Sequence, residues 1–459
     1  MKKYFCFILV LFSVVFYGCG NEVPKEYFDY EIDEEEKECF IYGLSELGMR
    51  IENLELVIPK KIENCTVIGF DENAFYECMN IISVEIPNSV TAIYERTFYS
   101  CENLKSIKIP NSVKFIDEEA FAFCDGLETL IIPNSVGEIG VGAFSYCDGL
   151  TELKLSDGIK IINDEAFFGC SKLNKLVIPS SVLKIGYRAF SFCENLSELT
   201  ILHGVKSIGD EAFSFCKLEN LIIPGSLENI GNRVFENCTE LKIVTIEEGV
   251  SKIGKSAFEE CTSLISITIP STVSIIEENA FKNCSSLPSF VFPKSLTKIK
   301  GNVLDGCSSI EKITIPESVT MIELGAFDIF SLKEVVLEGN DLSVPIELKT
   351  SDIAKVNLAL IKTIPIQLKS LYTSKDIIEA MPYWGNIFTN FTKYNGEKVA
   401  DRLTIVGDRK FKCVCYQCVE TKNCSYCNLS FTDYPGYNFN TFACIDCIEG
   451  FNRVSEDNL

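Results

Sequence analysis

The chain has 459 residues, 65 acidic against 42 basic side chains and a single histidine, giving a formal net charge of −23. So acidic a chain opposes phosphate backbones and excludes nucleic acid as a ligand. One histidine, His203, leaves most histidine-dependent catalysis without its residue.

Lys2 and Lys3 precede an apolar run over 4–17 and then Gly18 and Cys19. A charged start followed by an apolar stretch shorter than a membrane span predicts an export signal over 1–18. A small residue followed by cysteine is similar to a bacterial lipoprotein signal, which implies that Cys19 carries a lipid. Phe16 and Tyr17 depart from that pattern, and a plain secretory cut near Gly18 or Gly20 is the alternative. Membrane contact is expected only through this anchor. Residues 19–38 are dense in carboxylates, Glu34, Glu35 and Glu36 among them, and read as a solvated acidic spacer. Residues 39–69 are expected to cap the structure that follows, with Cys39 and Cys65 a candidate disulfide.

Next comes the dominant pattern. Cys78, Cys101, Cys124, Cys147, Cys170, Cys193, Cys216, Cys238, Cys261, Cys284 and Cys307 are 23 residues apart, except for one step of 22 from Cys216 to Cys238. A fixed step of that size means one supersecondary unit copied many times. The unit over 104–124 reads LKSIKIPNSVKFIDEEAFAFC. Its first half alternates apolar and polar residues as a strand does. Pro110, Pro133, Pro179, Pro224, Pro270, Pro293 and Pro316 end that strand, because proline has no N–H to extend a ladder. The second half suits a tight turn and a short helical or 3₁₀ piece. A phenylalanine stands three residues before each cysteine, from Phe75 to Phe281, and Leu304 is the substitute before Cys307. Phe327 holds the same place in the last unit, where Phe330 replaces the cysteine. Stacked at about 4.8 Å these rings make a continuous spine, read as core rather than as a ligand stripe. Twelve strand-bearing units would extend for about 55–60 Å at that rise.

The motif L-x-x-L-x-I-P followed by S-V-x-x-I-x-x-x-A-F-x-x-C at this period resembles the BspA-type leucine-rich repeat family, also called the Treponema pallidum-type repeat. The resemblance implies an α/β repeat solenoid: a right-handed curved stack of about twelve 23-residue units over 70–337, with a parallel sheet on one face. It also implies a secreted or surface-anchored, non-enzymatic protein of the adhesin class with no cofactor. The cysteine column admits three readings: cross-links between repeats, a metal ladder, or small buried filler at a tight corner, the last being favoured.

Outward strand positions are the candidate contact face, represented by Ser106, Lys108, Thr129, Ile131, Lys175, Val177, Thr245, Ser266 and Thr268. Small hydroxyls, aliphatics and scattered charges suit a broad, shallow contact with a protein of a host or neighbouring cell. Residues 338–412, with the only tryptophan at Trp384, read as a degenerate cap or linker. The tail, 413–459, holds three C-x-x-C pairs: Cys415 with Cys418, Cys424 with Cys427, and Cys444 with Cys447. With Cys413 the tail has seven cysteines; disulfides are their favoured reading, which leaves one thiol free, paired elsewhere or linking chains, and a structural zinc is the alternative. Two functions remain: a surface adhesion or interaction protein, or an envelope component cross-linked through this tail.

Overall fold

The structure, a computed structural model, describes residues 22–319 and, beyond them, short pieces as far as residue 400. The signal over 1–18, Cys19, Phe327, Phe330 and Trp384 lie outside the described residues. So do Cys413, Cys415, Cys418, Cys424, Cys427, Cys444 and Cys447, the tail cysteines read as disulfides or zinc ligands.

The chain opens with a four-stranded sheet made of β1 (Phe28–Asp33), β2 (Glu38–Leu44), β4 (Lys61–Ile62) and β5 (Cys65–Phe70), in the order β1-β2-β5-β4. A single-turn helix, α1 (Glu46–Met49), follows β2, and Ser45 caps it by accepting a hydrogen bond from the Gly48 N–H. The strand β3 (Leu54–Val57) leaves this sheet and starts the solenoid ladder.

The stretch expected to be an acidic spacer is, from residue 22, part of this cap. In β1 the sequence FDYEID alternates, so Phe28 is buried while Asp29, Glu31 and Asp33 are exposed. A strand carries carboxylates on its solvent face without charge burial, and this places the acidic run within folded structure. The three glutamates sit at the hairpin tip, where the N–H groups of Glu35 and Glu36 donate to the Asp33 side chain in an Asx-type turn. The cap joins the repeats through Phe70, whose ring meets Phe75 and Phe98 edge-on. Cys39 and Cys65, the candidate disulfide, are both buried free thiols.

Each repeat then contributes one long strand and one two-residue strand, and both kinds stack in parallel on their equivalents in the next repeat. The long strands form ladders of five (β3 to Glu152–Lys154), five (Lys175–Ile178 to Ser266–Thr268) and three (Ser289–Val291 to Glu334–Leu337). The short strands form ladders of six, three and three. Register advances by one repeat per strand, as in Thr129 facing Ser106 and Glu152. A parallel solenoid thus meets the expectation of stacked repeats. The second half of each unit, however, is turn rather than helix: two residues per repeat adopt a left-handed backbone, as at Glu119 (φ 49°) and Phe123 (φ 59°). Left-handed residues interrupt any helical run, since L-residues visit that region singly.

Between the ladders lies one continuous core. Phe98, Phe121, Phe144, Phe167, Phe190 and Phe213 are fully buried and stacked nearly parallel at 5.1–5.4 Å. The phenylalanine spine is therefore packing, as expected. Its widest step, 5.9 Å between Phe213 and Phe235, falls in the single 22-residue repeat. There the turn from Cys216 to Leu218 has one intervening residue where the sister repeats have two.

Candidate contact surfaces

Alternation in the long strands sends every second side chain outward. Ser106, Lys108, Thr129, Ile131, Lys175, Val177, Ser266 and Thr268 are exposed, and Thr245 is half-buried. The structure brings these into two parallel columns rather than one cluster. One column runs through Thr129 and Glu152, with Lys175 paired to Glu198 further on. The other holds Ile131 beside Lys154, Val177 beside Thr200, then Ile222, Thr245 and Thr268 in register. Lys108 reaches Glu85 at 2.6 Å and Lys175 reaches Glu198 at 2.7 Å, one repeat away in each case. These exposed pairs set charge pattern more than stability. The apolar members stand out of the sheet: Ile131, Ile222 and Val291 are 61%, 59% and 61% exposed.

The cysteine column proves to be more than filler. Each sulfur is buried and free, and from Cys101 to Cys307 it donates to the main-chain carbonyl of the phenylalanine one repeat earlier, as Cys101 to Phe75 at 3.2 Å, Cys147 to Phe121 at 3.2 Å and Cys261 to Phe235 at 3.3 Å, whereas Cys78, with no earlier repeat, meets the Met49 sulfur. The same Phe235 carbonyl also accepts the N–H of Cys238 from its own repeat. Cysteine therefore satisfies the second lone pair of a buried carbonyl at a fully buried corner of the repeat. Burial pushes the thiols from Cys78 to Cys284 above their ordinary range, Cys238 to about 12, so they are protonated and poor nucleophiles. Neither cross-links nor metal ligation describes this column. Among the described residues, no group of three or more His, Cys, Asp or Glu side chains is placed to hold a metal. The zinc alternative, Cys415, Cys418, Cys424, Cys427, Cys444 and Cys447, lies beyond those residues.

His203 lies in an exposed turn, as expected, with Nε2 2.9 Å from a carboxylate oxygen of Glu247 two repeats on.

A second outward surface went unread in the sequence. In the turn leading from each short strand back to the next long strand, Tyr76, Tyr99, Phe123, Tyr146, Phe168, Phe192 and Phe215 project outward, each exposed or half-buried. Their rings form an unbroken file with centroids 5.0, 5.3, 4.8, 5.2, 5.5 and 4.4 Å apart. Seven consecutive repeats supply one ring each. The ring sits two residues before the cysteine in three of them and one before it in four. This wandering hides the column from an alignment on single positions, whereas asking whether either position is aromatic would have exposed it.

Four of these aromatics carry a backbone penalty: Phe123, Tyr146, Phe192 and Phe215 have φ of 59°, 55°, 59° and 59°. A bulky side chain there costs about 1 kcal/mol relative to the ordinary regions, which a stacked ring pair, worth roughly 0.5–1.5 kcal/mol, offsets. Beside the file, directly after the cysteines, stand Glu102, Asp125, Asp148 and Glu194, all exposed and none in an ion pair among the described residues. Partial burial, then the charges of Asp148 and Glu102, push the Asp125 carboxyl upward.

A stack of parallel strands over a continuous phenylalanine core, built from a 23-residue unit, defines a leucine-rich repeat solenoid. The chain belongs to the BspA type leucine rich repeat family: the repeat region of that family matches in six copies over 66–197, 160–285 and 251–372, more than half the chain. Repeat proteins of this kind point to a role in protein interaction. No curated protein matches. Among solved structures, a leucine-rich repeat protein from Bacteroides ovatus is 24% identical, with 70% of this chain and 100% of that one covered and a TM-score of 0.45. A leucine rich cell surface protein from Faecalibacterium prausnitzii is 26% identical, covering 69% and 94%, with a TM-score of 0.41. The pneumococcal vaccine antigen PcpA is 20% identical, covering 73% and 95%, with a TM-score of 0.45.

Proposed function

We propose that this chain is a non-enzymatic, cell-surface interaction protein, held to a membrane by a lipid on Cys19, whose long-strand face is the contact surface for a protein partner. The observation that carries this reading is the exposure of Ile131, Ile222 and Val291, with Val177 and Ile243, on a sheet face that also shows hydroxyls and charges, some of them paired. Large aliphatics standing out of a rigid sheet gain free energy when a partner covers them, and the polar surroundings keep the uncovered protein in solution. The solenoid supplies this surface with little internal freedom, so little ordering opposes binding. Membership of a family whose resemblance implies surface anchoring supports export, as does the charged and apolar start of the chain.

Protease shaving of intact cells, with a Cys19→Ala variant alongside, tests the location. Loss of the protein on shaving and its release into the medium in the variant are expected, and protection from protease would place it inside the envelope. The contact face is tested by affinity capture from surface-protein extracts with the full chain and an Ile131→Lys/Ile222→Lys variant. The partner should be lost in the variant while the melting temperature holds within about 2 °C, as surface changes rarely exceed ±0.5 kcal/mol. Equal capture by both chains would move the contact elsewhere.

A further inference from the structure

The outward aromatic file is not required by the repeat, and the molecule carries its own comparison. Repeats eight to eleven keep the same turn with Asn237, Glu260, Asn283 and Gly306 at the left-handed position before the cysteine. Their backbone there is the same, φ 57°, 61°, 59° and 73°. Polar residues and glycine thus build the turn without aromatic help, and asparagine and glycine suit that conformation best. The first seven repeats place large rings in this turn, in four cases against the backbone preference.

A second column also differs between the two sets of repeats. Directly after the cysteine, four of the seven aromatic repeats carry Glu102, Asp125, Asp148 and Glu194, the other three carrying Met79, Ser171 and Lys217, whereas repeats eight to eleven carry Thr239, Thr262, Ser285 and Ser308. Some carboxylates elsewhere on the solenoid are matched across repeats, as Glu119 with Arg96 at 2.5 Å and Glu211 with Arg188 at 2.6 Å. The four beside the rings have no such partner among the described residues. The rings therefore run for roughly 30 Å at a strand-like step of about 4.8 Å, unneutralised carboxylates accompany them over about 19 Å from Glu102 to Glu194, and both end before the 22-residue repeat.

We propose that this aromatic file is a second docking surface, distinct from the long-strand face, and that its occupant is a basic segment of a partner protein in which lysine or arginine accompanies apolar side chains. Charge complementarity selects that occupant. Three of the six ring contacts are stacked and three are tilted or edge-on, so the file presents ring edges together with parts of ring faces, and these accept aliphatic side chains and the methylene stems of lysine and arginine. Their charged ends reach the carboxylate column, and an acidic or nucleic-acid partner is repelled by it. A second copy of this chain is disfavoured for the same reason, since each copy brings a net charge of −23.

The test uses the full chain and a fluorescent eight-residue peptide alternating lysine and leucine. Its two counterparts carry glutamate for lysine or serine for leucine. Two variants accompany it. Phe123→Asn/Tyr146→Asn/Phe192→Asn installs the residue that repeats eight and ten use at this turn. Glu102→Gln/Asp125→Asn/Asp148→Asn/Glu194→Gln removes charge and leaves the rings in place. The lysine–leucine peptide should bind the wild type at least tenfold more tightly than either variant and more tightly than both counterparts. The Ile131→Lys/Ile222→Lys variant should bind it as the wild type does, which separates this surface from the strand face. Affinity unchanged in the asparagine variant would reduce binding to diffuse charge attraction and overturn the proposal. Concentration-dependent dimerisation of the wild type, lost in that variant, would show that a second copy covers the file and would overturn it equally.

Discussion

At the residue scale, cysteine is the most informative side chain. Its spacing predicts a small buried group, and burial is what the structure shows. The thiol's donation to a carbonyl in the neighbouring repeat, as from Cys261 to Phe235, was not legible, because the acceptor lies 26 residues earlier and is main chain. Cys261→Ala keeps the space nearly filled and removes the donor, so a loss of about 1 kcal/mol is expected, measured by urea unfolding. The raised thiols also link stability to alkaline pH. Below about pH 8.5 both folded and unfolded chains hold the proton, and above it only the unfolded chain releases it. Stability therefore falls as pH rises from about 8.5 towards the folded value of Cys238, about 12. The decline should be shallower in Cys238→Ala by about 1.4 kcal/mol per pH unit, read from urea midpoints at pH 8, 9 and 10.

At the element scale, the repeat's strand and its proline stop were legible from period-two alternation, whereas the turn half was not. Left-handed positions occupied by Glu119, Arg188 or Phe192 give no glycine signal, and the sequence there looks helical. Stacking against the next repeat, with Phe121 N–H donating to the Ala143 carbonyl, holds these turns in place. Pairing also predicts where the stack is weakest. Both the long and the short ladders are interrupted between the units at Ser266–Thr268/Ile275–Ile276 and Ser289–Val291/Lys298–Ile299. Pro288 stands where its sister Ile265 donates to the Lys242 carbonyl, and proline has no such donor. Hydrogen exchange should be fastest within the solenoid at this joint, because opening there breaks the fewest ladder bonds. Pro288→Ile should slow it and add about 1 kcal/mol. A truncation within the spine, Phe144→Ala, removes two stacked contacts and should destabilise by about 3–5 kcal/mol, read by urea unfolding.

At the scale of the whole molecule, a repeat array turns every outward position into a column, so a change of residue type along the chain becomes a change of surface along the solenoid. The strand columns were legible because alternation alone decides which side chains leave the sheet. The aromatic file was not, because its members shift between two adjacent positions and only the curled turn brings them into line. The acidic spacer failed as a reading for a related reason: charge density along a segment does not say whether its alternate residues, here Val23 and Phe28, have a core to enter.

By itself the sequence determined the repeat length, the stacking of repeats, the phenylalanine core and the outward strand residues, while the parallel sheet was what the family resemblance implied. The first four follow from periodicity, which local chemistry imposes on any chain that folds. Only the tertiary structure decided what the repeat cysteines do, how the turns are shaped, that the acidic start belongs to the cap, and that seven rings form one surface. Each of these depends on contacts between residues a repeat or more apart, where the partner is set by stacking and no local pattern names it.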